Sequence, residues 1–223
     1  MKRVVFLGPP GAGKGTQGIR LASFWAVPHI ASGVLLRRLL QQEPASELSL
    51  AVRVIERGNL VSDETVADVV FRELDTPAAR TGFVLDGYPR SAKQARDLEA
   101  HLAADGRELD AVIGLTIAED VLVARLSGRL TCNNCGSSYH IVNDPPRQKG
   151  ICDRCASNLV VRDDDKPGPI RTRLALYKER AEPLLAYYRE RNLLREVDAE
   201  GTEEDVFHRI LLATGSSKKS LIY

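Results

Sequence analysis

Segments patterned as short buried strands alternate along the chain with segments of helical pattern. This predicts an α/β fold on a central, mostly parallel sheet with right-handed crossovers. Two further observations refine it. The apolar run that opens MKRVVFLGPPGAGKGTQ stops abruptly at residues 8–15, which hold four glycines, two prolines and one lysine. Residues 131–169 carry all four cysteines, show no helical period, and read as a small inserted module.

The elements follow in order. Lys2 to Leu7 is rich in β-branched and aromatic residues and predicts a short buried strand. Thr16 to Phe24 predicts a helix after the glycine loop. IASGVLLRRLLQ (30–41) and IERGNLVSDETVADVVFREL (55–74) predict helical segments punctuated by glycine. Ser62 can cap the second of these, with Asp63 and Glu64 favourable at its positive end. GFVLDGYPR (82–90) predicts a second strand ended by glycine and proline, and 91–103 a helix. DAVIGLTI (110–117) predicts a third strand and 119–130 a helix that is basic towards its end. A fourth strand at 193–197 and a last helix at 203–213 follow. The final GSSKKSLIY reads as a mobile tail.

The 223 residues suit one domain with insertions or two small ones, and 43% apolar residues can build a sizeable core. A formal charge of +1 argues against broad capture of nucleic acid, which needs a basic domain or stripe. No apolar run approaches the roughly 18 residues of a membrane helix. The N-terminal apolar stretch is too short for a signal peptide and ends in the glycine loop. A cytoplasmic protein is therefore expected.

Strand, glycine loop, lysine and helix in succession wrap polyphosphate. Gly8, Gly11, Gly13 and Gly15 let successive backbone N–H groups turn towards one anion, and the helix that follows adds its positive end. Lys14 supplies a full charge for the β and γ phosphates. The bland alternative is a glycine-rich turn with a surface lysine, which G-x-x-x-x-G-K directly after a strand disfavours. One departure stands out. Gly15 lies between the lysine and Thr16, so the usual magnesium hydroxyl role does not pass simply to Thr16. Asp86, at the carboxyl end of the second strand and near the loop, suits magnesium and its waters, against the plainer role of a turn-forming residue before Gly87.

The cysteines stand as C132-N-N-C135 and C152-D-R-C155, with sixteen residues between the pairs. That spacing suits a four-thiolate zinc site, each C-x-x-C turn aiming two sulfurs at one point. Four protein ligands leave no open position, so such a zinc is structural. Two disulfides or four free thiols are the alternatives. The insert has too little core to hold its shape alone, and a metal can supply that stability.

GPPGAGKGTQ, Ser32-Gly33 with Leu36-Arg37, GNLVSDE (58–64), GFVLDGYPRSAKQA (82–95), ARLSGR (124–129), YH (139–140), RDDD (162–165) and RTRL (171–174) occur in that order. Over roughly residues 3 to 210 the chain resembles the adenylate kinase family in its long-lid, zinc-containing form. The resemblance implies a P-loop NTPase-type three-layer α/β fold with a central parallel sheet and a small zinc-containing lid. It implies reversible phosphoryl transfer from MgATP to AMP giving two ADP, by a monomer that uses neither nucleic acid nor membrane. It divides the chain into a core (1–30, 62–129 and 172–214), an AMP-binding segment (31–61), a lid (130–171) and a tail (215–223). It puts Gly11, Ala12, Gly13, Lys14, Gly15, Thr16, Arg125 and Arg129 on ATP. It puts Ser32, Arg37, Gly87, Arg90, Gln94, Arg162 and Arg173 on AMP. Lys14, Asp86, Arg90, Arg125, Arg129, Arg162 and Arg173 then form the catalytic set, with Mg2+ accompanying ATP. Asp164 and Asp165 resemble lid carboxylates that tie arginines when the lid closes.

The chain departs from the family at a few places. Val34 stands where the family has Asp, which is expected to weaken metal positioning and lower turnover. Ser32 stands where threonine is usual. KPGP (166–169) replaces an acidic run, and its prolines are expected to stiffen the hinge into a helix at 170. Three competing readings follow: a monophosphate kinase with another acceptor, a weakened or inactive nucleotide-binding relative, and a zinc ribbon for nucleic acid. The insert holds few basic residues and one tyrosine, which is weak for the last.

Overall fold

The computed structural model describes residues 2–42, 63–142, 144–161, 165 and 167–216, without the side chains of residues 41, 42, 167, 173 and 176. Its elements run β1 (Arg3–Leu7), α1 (Lys14–Trp25), β2 (His29–Ala31), α2 (Ser32–Gln42), α3 (Asp63–Leu74), α4 (Pro77–Arg80), β3 (Phe83–Asp86), α5 (Ala92–Ala104), β4 (Ala111–Thr116), α6 (Glu119–Ser127), β5 (Arg129–Cys132), β6 (Ser138–His140), β7 (Leu159–Val160), α7 (Pro167–Glu190), β8 (Leu194–Asp198) and α8 (Glu203–Ala213).

Five strands form one sheet in the order β2-β3-β1-β4-β8, every neighbouring pair parallel. Successive side chains of a strand face opposite ways, so β1 feeds two cores. Val4 and Phe6 join Leu21 of α1, Leu122 and Leu126 of α6, and Phe207 and Ile210 of α8. Val5 and Leu7 join Val70 and Leu74 of α3, and Leu98 and Leu102 of α5. Helix, sheet and helix make the three layers expected. The long α7 serves both cores, giving Ile170 and Leu174 to the first and Leu184 and Tyr188 to the second. No helix among the described residues is long and apolar enough to cross a membrane.

Local chemistry fixes several boundaries. Ser91 caps α5 by accepting the Gln94 N–H, and Thr202 and Asp205 form a reciprocal capping box at α8. Helix α6 ends at Ser127, three residues before the expected end, because Gly128 caps it and Arg129 opens β5. Helix α7 begins at Pro167, not 170. Pro167 and Pro169 lie in its first turn, where the missing N–H is no loss. The three-residue β2 is a strand that the sequence pattern did not announce. The insert also contains strands: β6-β5-β7 is a small antiparallel sheet. Ser62 and the tail beyond 216 lie outside the described residues.

Candidate active site

The glycine loop joins β1 to α1 at the carboxyl end of the sheet. Gly8, Gly11 and Gly13 have φ of 147°, 85° and 91°, values that only glycine adopts without strain. Gly13 caps α1 in the left-handed conformation, and the first turn of α1 holds no acidic residue. The positive end of the helix is thus left for an anion. Lys14 Nζ donates to the carbonyls of Gly8 and Pro9 at 2.8 and 2.9 Å, which draws the ammonium back over the loop. Ala12 is buried in the loop floor, and Thr16 sits in the first turn of α1.

Asp86 ends β3 next to Phe6 of β1. A Cβ on Gly15 would stand 3.7 Å from Asp86 Oδ2, so the carboxylate lies against the N-terminal turn of α1. A second cluster gathers one strand further along. Gly87 has φ 81°, and a Cβ there would meet Ser32 Oγ at 2.6 Å and Arg90 Nη2 at 3.6 Å. A Cβ on Gly33 would lie 3.6 Å from Arg37 Nη1. The turn after β3 and the start of α2 therefore bring Ser32, Arg37, Gly87 and Arg90 together. Ser32 is buried, and its Oγ has no hydrogen-bond partner among the described residues. Arg90 Nε donates to the Gly87 carbonyl at 2.7 Å.

Gln94 is buried beside this cluster and already engaged. Its Oε1 accepts the Arg90 N–H at 2.6 Å, and its Nε2 donates to Asp63 Oδ1 at 2.7 Å. A primary amide has four hydrogen-bonding sites, of which these two bonds use one lone pair and one N–H. The Asp63 partnership is a feature that sequence reasoning missed, since it joins helices 31 residues apart.

On the other flank, Arg125 Nη2 donates to the Ala199 carbonyl at 3.1 Å, and burial lowers its pKa. Arg129, at the base of the insert, forms a two-pronged pair with Asp165, Nε to Oδ2 at 2.8 Å and Nη2 to Oδ1 at 2.6 Å. Arg162, Asp164 and the side chain of Arg173 lie outside the described residues. Val34 packs across the cleft against the insert: a Cβ on Gly136 would fall 2.9 Å from Val34 Cγ2. His29 is a second feature missed. Its imidazole lies against Gly18 of α1, and burial lowers its pKa although nearby Asp86 pulls it upward.

The four cysteines are thiols, and their sulfurs all lie within 4.8 Å of one another. Cys132 and Cys155 are 3.4 Å apart and Cys135 and Cys152 3.6 Å, far beyond a disulfide bond of about 2.05 Å. Zinc at about 2.3 Å from four tetrahedral sulfurs sets them about 3.8 Å apart, so the cluster fits. Two turns of the same build create it. The N–H of Gly136 bonds the Cys132 carbonyl at 3.0 Å, and that of Ala156 bonds the Cys152 carbonyl at 2.8 Å. Bonds from the Ser157 hydroxyl and N–H bring the Cys155 thiol down to about 5, while burial pushes Cys132 up to about 12.

A family model described as Adenylate kinase matches residues 6–193. An adenylate kinase of Anaeromyxobacter sp. is 43% identical over 204 residues, 91% of this chain and 94% of the relative. One from Archaeoglobus fulgidus is 40% identical over 208 residues, 93% and 95% of the two chains. One from Lachnospira eligens is 38% identical over 214 residues, covering 96% of this chain and all of the relative. With a phosphate-wrapping loop, a second cationic cluster beside it and these relatives along nearly its whole length, the chain belongs to the adenylate kinase family of phosphotransferases.

Proposed function

We infer that the chain reversibly transfers the terminal phosphoryl group of MgATP to AMP, yielding two ADP. One observation carries this reading. The glycine loop after β1, with Lys14, and the turn after β3, with Arg90 and Arg37 near it, stand at the ends of adjacent parallel strands, with Asp86 beside both. Neighbouring strands lie about 4.8 Å apart, so two phosphorylated ligands held there meet end to end.

The glycine-loop amides (Gly11, Ala12, Gly13, Gly15, Thr16) and Lys14 hold the ATP phosphates, with Arg125 and Arg129 on the same side. Ser32, Arg37, Gly87, Arg90 and Gln94 hold AMP, and Arg162 and Arg173 reach the transferring group. An AMP phosphate oxygen bonds to the γ phosphorus as the bond to the β–γ bridging oxygen breaks, leaving ADP on each side. The protein's part is positioning and charge stabilisation, for which the rigid fork of arginine is suited. Mg2+, when bound, neutralises charge on the β and γ oxygens, and Asp86 would hold its waters.

The segment 31–61 and the lid 130–171 close on the core (1–30, 62–129, 172–214) and exclude water, which would otherwise take the phosphoryl group. A structural zinc on Cys132, Cys135, Cys152 and Cys155 keeps the lid rigid. We place the protein in the cytoplasm as a monomer. A coupled assay with MgATP and each of AMP, GMP, CMP and UMP tests the reading. ADP formation with AMP alone is expected. Turnover with a different acceptor would overturn the acceptor assignment, and tight ATP binding without any turnover would overturn the activity.

A further inference from the structure

The two cysteine turns share more than their cysteines. Residues 132–137 read CNNCGS and residues 152–157 read CDRCAS, so a serine follows the second cysteine of each turn by two positions. In both turns that serine acts twice. Its backbone carbonyl accepts the N–H of the first cysteine, Ser137 from Cys132 at 2.9 Å and Ser157 from Cys152 at 2.8 Å. Its hydroxyl sits beside the sulfur of the second: Ser137 Oγ lies 3.1 Å from Cys135 Sγ, and the Cys155 thiol donates to Ser157 Oγ at 3.4 Å, a bond whose direction reverses once the sulfur is a metal-bound thiolate. Neither hydroxyl makes another hydrogen bond among the described residues.

A third sulfur is served from the sheet. Tyr139, on β6, accepts the Asp153 N–H at 2.9 Å through its phenolic oxygen. That leaves its own proton to point at Cys152 Sγ, 3.5 Å away. Cys132, fully buried, has its sulfur beside that of Cys155 and meets no hydroxyl among the described residues.

We infer that Ser137, Ser157 and Tyr139 are positioning residues for the metal centre, a shell of hydroxyl donors that sets how tightly the four thiolates hold their ion. The inference rests on the zinc reading of the cysteine cluster. Four thiolates around a dication carry a net charge of minus two, in a small module with little solvent on the inner sulfurs. Donors aimed at anionic sulfur spread that charge and fix the direction of each ligand. The serine backbone already closes each turn, so the hydroxyl is available to the sulfur and not required by the chain path.

The test measures zinc and cobalt binding by the full-length protein. Ser137→Ala and Ser157→Ala are each expected to weaken zinc retention about 10-fold against a chromophoric chelator, and the double variant about 100-fold. Tyr139→Phe, which keeps the ring, is expected to act like a single serine variant. In the cobalt-substituted protein the thiolate-to-metal charge-transfer band moves to longer wavelength, because sulfur lone pairs rise in energy when a donor is removed. Ser137→Thr and Ser157→Thr keep the hydroxyl and are expected to restore both readouts. Alanine variants with wild-type zinc affinity and an unshifted cobalt band would overturn the hydroxyl shell and leave the metal reading standing. A wild-type protein that retains no zinc would overturn the metal reading, and the shell with it.

Discussion

Arg129 and Asp165 lock the two ends of the insert together: the arginine opens β5, the aspartate precedes α7, and both guanidinium contacts are shorter than 3 Å, at 2.8 and 2.6 Å. The Asp165 side chain is wholly buried and that of Arg129 is 17% exposed. Removing one partner strands a charge away from water, which costs about 3–5 kcal/mol. Asp165→Ala is therefore expected to lower the urea unfolding free energy by about 3 kcal/mol. Replacing both, Arg129→Met with Asp165→Leu, is expected to recover most of that stability but to lose phosphoryl transfer, because the Arg129 guanidinium is gone. Recovery of transfer in the double variant would remove Arg129 from the catalytic set.

Lys14 holds its ammonium over the glycine loop through two carbonyls. Lys14→Met keeps the length and apolar stem of the side chain but deletes the charge. The expected result is a native melting curve with kcat reduced by at least about 100-fold, the scale of losing one preorganised phosphate donor. Steady-state ADP formation and a thermal melt check the two halves.

His29 titrates in a buried setting that holds its pKa below the ordinary 6.5. The unfolded chain then takes up the proton first as pH falls. Its contribution to stability is full above about pH 6.5 and is lost as pH drops towards the folded-state value. Urea midpoints measured at pH 7.5 and 5.5 should differ less for His29→Gln than for wild type. An imidazole NMR signal for His29 titrating at or above 6.5 would contradict the assignment.

Ala26 ends α1 with φ 55° and ψ 42°, its N–H bonded to the carbonyls of Ala22 and Ser23. An L-residue with a Cβ is strained in that left-handed conformation by about 1 kcal/mol, and glycine is not. Ala26→Gly is expected to raise stability by about 1 kcal/mol, read as a shifted denaturation midpoint with unchanged slope.

The parts of this molecule legible in the sequence are those dictated by neighbouring residues. The glycine loop is one: positive φ at Gly11 and Gly13 is a local demand, and Lys14 follows within the same turn. The C-x-x-C pairs are another, because each fixes its own turn. What the sequence hid is pairing at a distance. The three residues of β2 are too few to carry a period, and their strand character comes from pairing with β3, as His29 with Val84. Gln94 was legible as a polar residue on a helix, yet its bond to Asp63 depends on how α5 packs against α3. The insert looked structureless because its strands are two to four residues long, held by the cysteine turns and by ladders such as Arg129 with His140. The hydroxyls on sulfur became visible only once both turns folded.

The central claim is that two nucleotides meet at the carboxyl ends of β1 and β3 within a ring of cations. A crystal structure with Mg2+ and a bisubstrate dinucleoside polyphosphate tests it most directly. The account predicts one end of the phosphate chain on Lys14 and the glycine-loop amides, the other on Arg37 and Arg90, and Arg129 and Arg173 within hydrogen-bonding distance of the phosphates between them. Phosphates bound elsewhere, with Arg90, Arg129 and Arg173 turned to solvent, would contradict it.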